Sequence, residues 1–342
     1  MTQPSFFDLD SRYKKLNERD PLIGLEELID WENFRDTLNK IRQKDRKSNA
    51  GRKPYDVVLM FKVLVLQHLY NLSDEESEYQ IRDRYSFSRF LGLSPEGRIP
   101  DAKTIWLFRE QLVQTGLMRE LFADFDYQLN EQGYKAQKGQ IVDASFVDVP
   151  KQRNNRKENA EIKEGKIPQR FKDEPPVGSQ KDTDARWTKK NKETHYGYKN
   201  HVAIDNKHKL IRDYEVSSAE VHDSQVFTEI LAENTSSDVW ADSAYQSEEA
   251  ELELEAMGMR SHVHKKGKRN KPLTNREMKA NTKRSKVRAR IEHVFGSITN
   301  EQGGLYSRVI GLARTKVKVG MMNVVYNMRR FVSLQRINAS IS

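Results

Sequence analysis

The stretch "KVRARIEHVFGS" (residues 286–297) carries a single acid, Glu292, directly behind a basic run. From Lys279 to Arg290 there are six lysines and arginines and no acid. Two other carboxylates stand alone among small or apolar neighbours: Asp143 in "IVDAS" and Asp242 in "VWADSAY". Three carboxylates on three separate elements form a donor set for a hard divalent cation. Mg²⁺ takes oxygen ligands and keeps room for water and phosphate oxygens. Two such ions about 4 Å apart can activate an attacking oxygen and stabilise a leaving one at phosphorus. Each carboxylate alone is weak evidence, because an Asp in a buried-looking strand more often bonds a cap or a loop. Asp148, Asp223 and Asp238 compete for the same roles. Asp148 stands an odd number of residues from Asp143, so a regular strand turns it to the other face. Asp223, beside His222, ends "SSAEVHD" and reads as a helix cap. The order of the three, their strand–strand–helix placement and the basic surroundings single them out together.

Arg288 precedes Glu292 by four residues and shares its face if the helix is continuous. The pair is either a salt bridge or a division of labour, with Arg288 on a phosphate and Glu292 on a metal ion. Val287, Ile291, Val294 and Ile298 form the buried stripe of that helix, and Glu292 lies on its border. Lys283, Arg284 and Lys286 are candidate DNA-backbone contacts, whereas Arg290 points about 200° away from Glu292. Lys199 in "HYGYKNH" shares a strand face with His201 and is a further candidate for phosphate.

These side chains must be positioned by two kinds of sequence. Residues 55–133 read as four or five short helices: an apolar segment at 55–73, a capping pattern from Ser73 to Glu76, and a helix capped by Asp101 and stopped by Gly116. Residues 24–42 add a helix with Leu28, Trp31, Phe34, Leu38 and Ile41 on one side. Such a set is compatible with a helix-turn-helix DNA reader and equally with a plain bundle. From residue 138 the pattern changes to β, long arm, β, β, α, β, α, β, α, an α+β/α/β arrangement with a mixed sheet and flanking helices. Residues 151–194, with three prolines and little apolar content, read as a long polar loop or arm. Strands at 195–205 and 210–220 form a hairpin, a helix follows at about 224–233, and one long helix spans about 276–298. A last helix covers roughly 317–334. The domains expected are an N-terminal arm and helix (1–50), a helical domain (51–133) and a sheet domain (134–342).

Composition narrows the partners. Net charge is +9, but residues 260–336 hold 20 Lys and Arg against three acids, a net of +17, so the rest carries −8. A basic third on an otherwise acidic chain suits a nucleic-acid backbone; a basic ribosomal-type tail is the plainer reading of the same composition. With no cysteine, disulfides, iron–sulfur clusters and thiolate zinc sites are excluded. No apolar run reaches the roughly 20 residues of a membrane span, and "MTQPSFFDLDSRYKK" does not read as a secretory signal.

The stretches "GRKPYDVVLMFKVLVLQHLYNLSDEESEYQI", "IPDAKTIWLFREQL", "GQIVDASFVDVP", "DARWTKKNKETHYGYKNHVAID", "EVHDSQ", "WADSAYQS" and "KVRARIEHVFG" agree in order and separation with one family. From about Asn49 to the C-terminal helix the chain resembles a bacterial insertion-sequence transposase of the group numbered five, among the DDE transposases. The resemblance implies a ribonuclease-H-like catalytic core with Asp143, Asp242 and Glu292 as its metal-binding catalytic carboxylates and Arg288 as the associated arginine. It implies two Mg²⁺ ions, with Mn²⁺ able to substitute. It also implies double-stranded DNA as partner, at element ends and target, and a homodimer or larger synaptic complex. The location implied is the bacterial cytoplasm, at the nucleoid. The helical domain would contribute to recognition of terminal inverted repeats. Water would cleave a phosphodiester and the freed 3′-hydroxyl would attack target DNA, with no covalent protein–DNA intermediate. The wider pattern's tyrosine, three residues before the arginine, and its lysine, seven after the glutamate, are here Ser285 and Thr299. Those auxiliary roles are not carried over.

Two rivals keep the same residues: a domesticated or inactive transposase-derived DNA-binding protein, and a metal-dependent nuclease without strand transfer. Smaller candidates have plainer readings beside them. Tyr245 reads as packing rather than as a recombinase nucleophile. His262 and His264 alternate along a strand, but no further ligands complete a zinc site. Trp187 would stack on a base or pin the arm.

Overall fold

A computed structural model describes residues 20–42, 53–94, 97–190, 192–267 and 271–341. Residues 1–19 and 43–50 of the expected N-terminal arm and helix lie outside these residues. The chain divides into two compact units, one taking residues up to Gln128 and from Met328 onward, the other Leu129–Asn327.

The first unit is helical. Its elements are α1 (Pro21–Leu28), a 3₁₀ turn at Trp31–Phe34, α2 (Arg35–Asn39), α3 (Val57–Tyr70), α4 (Asp74–Asp83), α5 (Tyr85–Phe90), α6 (Ala102–Thr115) and the start of α7 (Met118–Glu131). The expected single helix over 24–42 is therefore broken: Asp30 caps a new turn through the Glu32 N–H instead of continuing the old one. Elsewhere the caps fall where the side chains foretell. Asp56 accepts from Val58 and Leu59, Ser73 from Glu76, and Asp101 from Thr104, each satisfying an N–H that a helix start leaves open. Gly116 ends α6 at φ 68°, a left-handed position that suits glycine. The apolar faces meet in an aromatic core. Trp31 stands edge-on to Phe90 at 5.4 Å and Phe34 lies 5.0 Å from Phe61. Phe125 meets Phe331 edge-on at 6.3 Å.

The second unit is a mixed sheet with helices. Strands β1 (Gln140–Asp148), β2 (Arg186–Lys190), β3 (Glu193–Asp205), β4 (Ile211–Ser218), β5 (Asp238–Trp240) and β6 (Arg260–Ser261) form it in the order β2-β3-β1-β5-β6, with β4 also on β3. β1 runs antiparallel to β3 and parallel to β5. Two glycines allow close approaches. A Cβ at Gly197 (φ 147°) would meet the Val147 carbonyl at 2.2 Å, and one at Gly139 (φ 77°) the Asp238 carbonyl at 2.4 Å. The second contact lets β5 come alongside the start of β1. The core on that side holds Val142, Ala203, Phe227, Ile230, Val239, Ala241, Tyr245 and Leu254.

Four sequence expectations change here. Residues 151–194 are not one loop: they form α8 (Arg156–Lys163), α9 (Gln169–Asp173), α10 (Pro175–Gly178) and β2. Few apolar residues suffice because Ile162, Phe171 and Ala185 are buried and Asn155 and Glu158 close a capping box. Buried Asp182 also gathers the Asp184 and Ala185 N–H groups and the Tyr198 hydroxyl. The helix expected over 224–233 is a 3₁₀ turn at Asp223–Gln225 followed by turns, although Phe227 and Ile230 are buried as the pattern requires. The long helix over 276–298 is two, α12 (Asn275–Arg288) and α13 (Glu292–Glu301). Between them the Arg290 and Ile291 N–H groups reach only three residues back, to Val287 and Arg288, the tighter 3₁₀ spacing. The last helix, α14, is longer than expected at Leu312–Ile341; α11 (Glu248–Ala256) lies before β6.

Candidate active site

The parallel register pairs Ile141 of β1 with Trp240 of β5. Two residues beyond each stand Asp143 and Asp242, near enough for the charge of Asp242 to act on Asp143. Asp143 remains on the strand and is 7% exposed. Asp242 lies past the end of β5, where it caps the turn Ser243–Tyr245 by accepting from the Ala244 N–H at 2.6 Å. One oxygen of Asp143 accepts from the Ala144 N–H at 2.9 Å; the other takes the Arg288 Nη1 at 2.6 Å.

Burial is the largest influence on Asp143 and pushes its pKa up to about 6. Arg288 and the Ala144 N–H oppose this shift, and the negative charge of Asp242 adds to it. That balance is expected when two carboxylates share a poorly hydrated place with one cation. The Arg288 Nε is itself buried with no hydrogen-bond partner, so the guanidinium is only half satisfied by Asp143.

Glu292 is placed differently. It is exposed in the first turn of α13, and among the described residues it has no ion pair. No group of three or more His, Asp or Glu is gathered closely enough among them to hold a metal ion. The tight turn at 289–291 also separates Glu292 from Arg288, which end up on different helices. The shared helix face expected for the two is corrected accordingly: Arg288 pairs with Asp143, 145 residues away in the chain.

The basic candidates divide as well. Lys199 is 8% exposed, and its ammonium donates to the Val221 carbonyl and to Asp223, both at 2.7 Å. It is an internal ion pair rather than the phosphate contact expected. Arg284 donates to the Val263 carbonyl at 2.7 Å, and Arg290 to the Asn206 carbonyl at 3.0 Å. Lys283 and Lys286 are exposed. His262 bonds Asp238 at 2.8 Å and stacks on Trp240, while His264 faces Ser285 at 3.4 Å. His264 is held below the usual imidazole range by burial first and then by Arg288 and Arg284.

Two residues at this place were not singled out as site residues from sequence. Asp223 is buried on Lys199 and was read as a cap; "EVHDSQ" was the signal that pointed to it. Tyr245 is buried beside Phe227 at 5.0 Å, with the charges of Asp143, Asp223, Asp242 and Arg288 acting on its hydroxyl.

A buried strand carboxylate within the field of a second one just past the neighbouring strand, with an arginine bonded to the first, can attract cations and phosphates. The family of the Transposase DDE domain matches residues 134–328, and the Transposase domain family DUF772 matches residues 10–111. The chain therefore belongs to the DDE-domain transposase family. A cryo-EM structure of the piggyBac transposase synaptic complex with hairpin DNA is similar over 92% of this chain and 75% of that one, at 12% identity and a TM-score of 0.47. Among the described residues no helix is long and apolar enough to cross a membrane.

Proposed function

We propose that the protein is an insertion-sequence transposase of the group numbered five, with a ribonuclease-H-like catalytic unit that cleaves DNA at terminal inverted repeats and transfers the freed strand. The observation that carries this reading is the charge of Asp242 acting on buried Asp143 across the β1–β5 pairing. Family membership supplies the context. The pair fits a divalent cation: it is two hard oxygen donors, one buried and electrostatically strained, with a guanidinium already drawn against it as a positive charge. Asp143 and Asp242 would hold the cation, with Glu292 as the third carboxylate. Two bound Mg²⁺ ions, or Mn²⁺ in their place, would activate the attacking oxygen and stabilise the leaving one.

The chain's own residues do the rest. Arg288, paired at one Nη and unpartnered at Nε, has donors to offer a phosphate once it leaves Asp143. Exposed Lys283 and Lys286 on α12 suit the DNA backbone. The helical unit would read element ends, and two or more copies would pair those ends in a synaptic complex, in the bacterial cytoplasm at the nucleoid.

The position of Glu292 favours one alternative, a transposase-derived DNA-binding protein without the reaction. A single experiment separates them. Asp143→Asn, Asp242→Asn and Glu292→Gln are each assayed for cleavage and for joined products on element-end DNA in Mg²⁺, alongside binding. Loss of cleavage in all three with binding retained supports the transposase. Near wild-type activity in Glu292→Gln removes that residue from the site, and an inactive wild-type chain that binds ends supports the alternative. Cleavage without joined products is the signature of a nuclease.

A further inference from the structure

The residue that the carboxylate pair leaves unexplained is Tyr245. Its side chain is 1% exposed, in the core with Phe227, Val142 and Leu254, yet its hydroxyl has no hydrogen-bond partner. A buried hydroxyl without a partner lowers stability, and phenylalanine would fill the same volume without that loss. The environment of the hydroxyl is not apolar on every side. Tyr245 closes the 3₁₀ turn capped by Asp242, and Asp143, Asp223 and Asp242 are the anions that act on it. Asp223 is already held by Lys199 at 2.7 Å. Asp242 caps the very turn that carries Tyr245, and Asp143 gives up one of its two partners whenever Arg288 moves off it.

We propose that Tyr245 is a positioning residue of this site, whose phenol O–H donates to the oxygens gathered on Asp143 and Asp242, to a carboxylate or to a water bound between them, when Arg288 is drawn away. The inference rests on the reading of Asp143 and Asp242 as the cation-holding pair. It accounts for a tyrosine where packing alone asks for phenylalanine, since polar groups left unsatisfied in a resting protein concentrate where function later uses them. Burial, and after it the three aspartates, raise the phenol's pKa well above its ordinary value. The group therefore stays protonated, a donor only, across the pH range in which DNA is handled. A donor behind a ligating carboxylate orients it and sets its affinity for a cation.

The test uses the full chain with Mn²⁺ as probe. Free and bound Mn²⁺ are measured by electron paramagnetic resonance for the wild type, Tyr245→Phe and Asp143→Asn, and thermal midpoints are taken without metal. The expected result is a Phe variant whose midpoint is equal to or above wild type and whose Mn²⁺ affinity is lower by about 10-fold or more. Cleavage should fall in parallel. Wild-type Mn²⁺ affinity in Tyr245→Phe overturns the proposal, whether or not its midpoint has moved. A wild-type chain that binds Mn²⁺ no better than Asp143→Asn overturns the assignment of the carboxylate pair, and the proposal with it.

Discussion

Lys199 meets Asp223 at 2.7 Å and Arg288 meets Asp143 at 2.6 Å, both in the sheet unit. The two ion pairs match in length and differ in almost everything else. Lys199 and Asp223 keep 10% and 7% of their side chains exposed, and the ammonium has a second acceptor in the Val221 carbonyl. Arg288 and Asp143 keep 25% and 10%, and the guanidinium carries a buried Nε with no partner. The first pair is closed: each charge was desolvated once and is compensated in place. The second is open on the arginine side and shares its carboxylate with the field of Asp242. A closed pair can serve as a strut, while an open one can exchange partners. Beside the strut, His201 is fully buried and pushed down to about 4, chiefly by burial, so it stays neutral and bonds Ser217.

The largest effect should come from breaking the strut. Lys199→Ala leaves Asp223 buried without its cation and should cost roughly 3–5 kcal/mol. In a unit of this size that lowers the thermal midpoint by about 10 °C. A midpoint within a degree or two of wild type, by calorimetry, would erase the distinction between the pairs.

Arg288→Ala should behave in the opposite sense. The pair is partly exposed and Asp143 can take up a proton in place of the guanidinium, so stability should change by only about 1 kcal/mol. Single-turnover cleavage at saturating protein should nonetheless fall on the order of 10²-fold, the usual scale for a lost donor to developing charge. Cleavage that survives this change would leave Arg288 as a second strut.

The third test exploits the raised Asp143. Folded Asp143 keeps its proton up to about pH 6, whereas an unfolded chain releases it near pH 4. Across that window the folded state binds more protons, so this group's contribution to stability falls as pH rises from about 4 to about 6, by roughly 2–3 kcal/mol in all, and is flat above. Metal-free urea titrations should show the difference between Asp143→Asn and wild type growing in favour of the variant over that range. A difference independent of pH would mean that Asp143 is not strained.

The smallest effect concerns the exposed lysines. Lys283→Ala with Lys286→Ala should flatten the slope of log affinity against log salt by up to about 0.9 per lost phosphate contact. Stability should be unaffected. An unchanged slope would make α12 a solvated face.

Much of this could be read in the chain before folding. Asp56, Ser73, Asp101 and Gly116 announce helix ends because a cap acts on N–H or C=O groups within four residues of itself. Of the expected stripe, Ile291, Val294 and Ile298 are buried and Val287, on the preceding helix, is half-buried. The isolation of Asp143 and Asp242 among apolar neighbours marked both aspartates. Local patterns fail where partners are distant. The polar composition of residues 151–194 concealed Asp182, whose acceptors serve Tyr198 from β3 as well as its own turn. Helical periodicity continued through Ala289, but the chain tightens there, where Arg288 is bonded to Asp143 and Arg290 to Asn206.

The sequence by itself determined the two kinds of structure, the strand that carries Asp143 and the helix that begins at Glu292, the basic run and the family resemblance, because each is written in residue type and short-range spacing. Only the tertiary structure decided which charge meets which. Sheet pairing set Asp143 within the field of Asp242, the turn before α13 parted Arg288 from Glu292, and the sheet interior claimed Lys199 for Asp223. These choices depend on distance and desolvation between segments far apart in the chain, and no local periodicity carries that information.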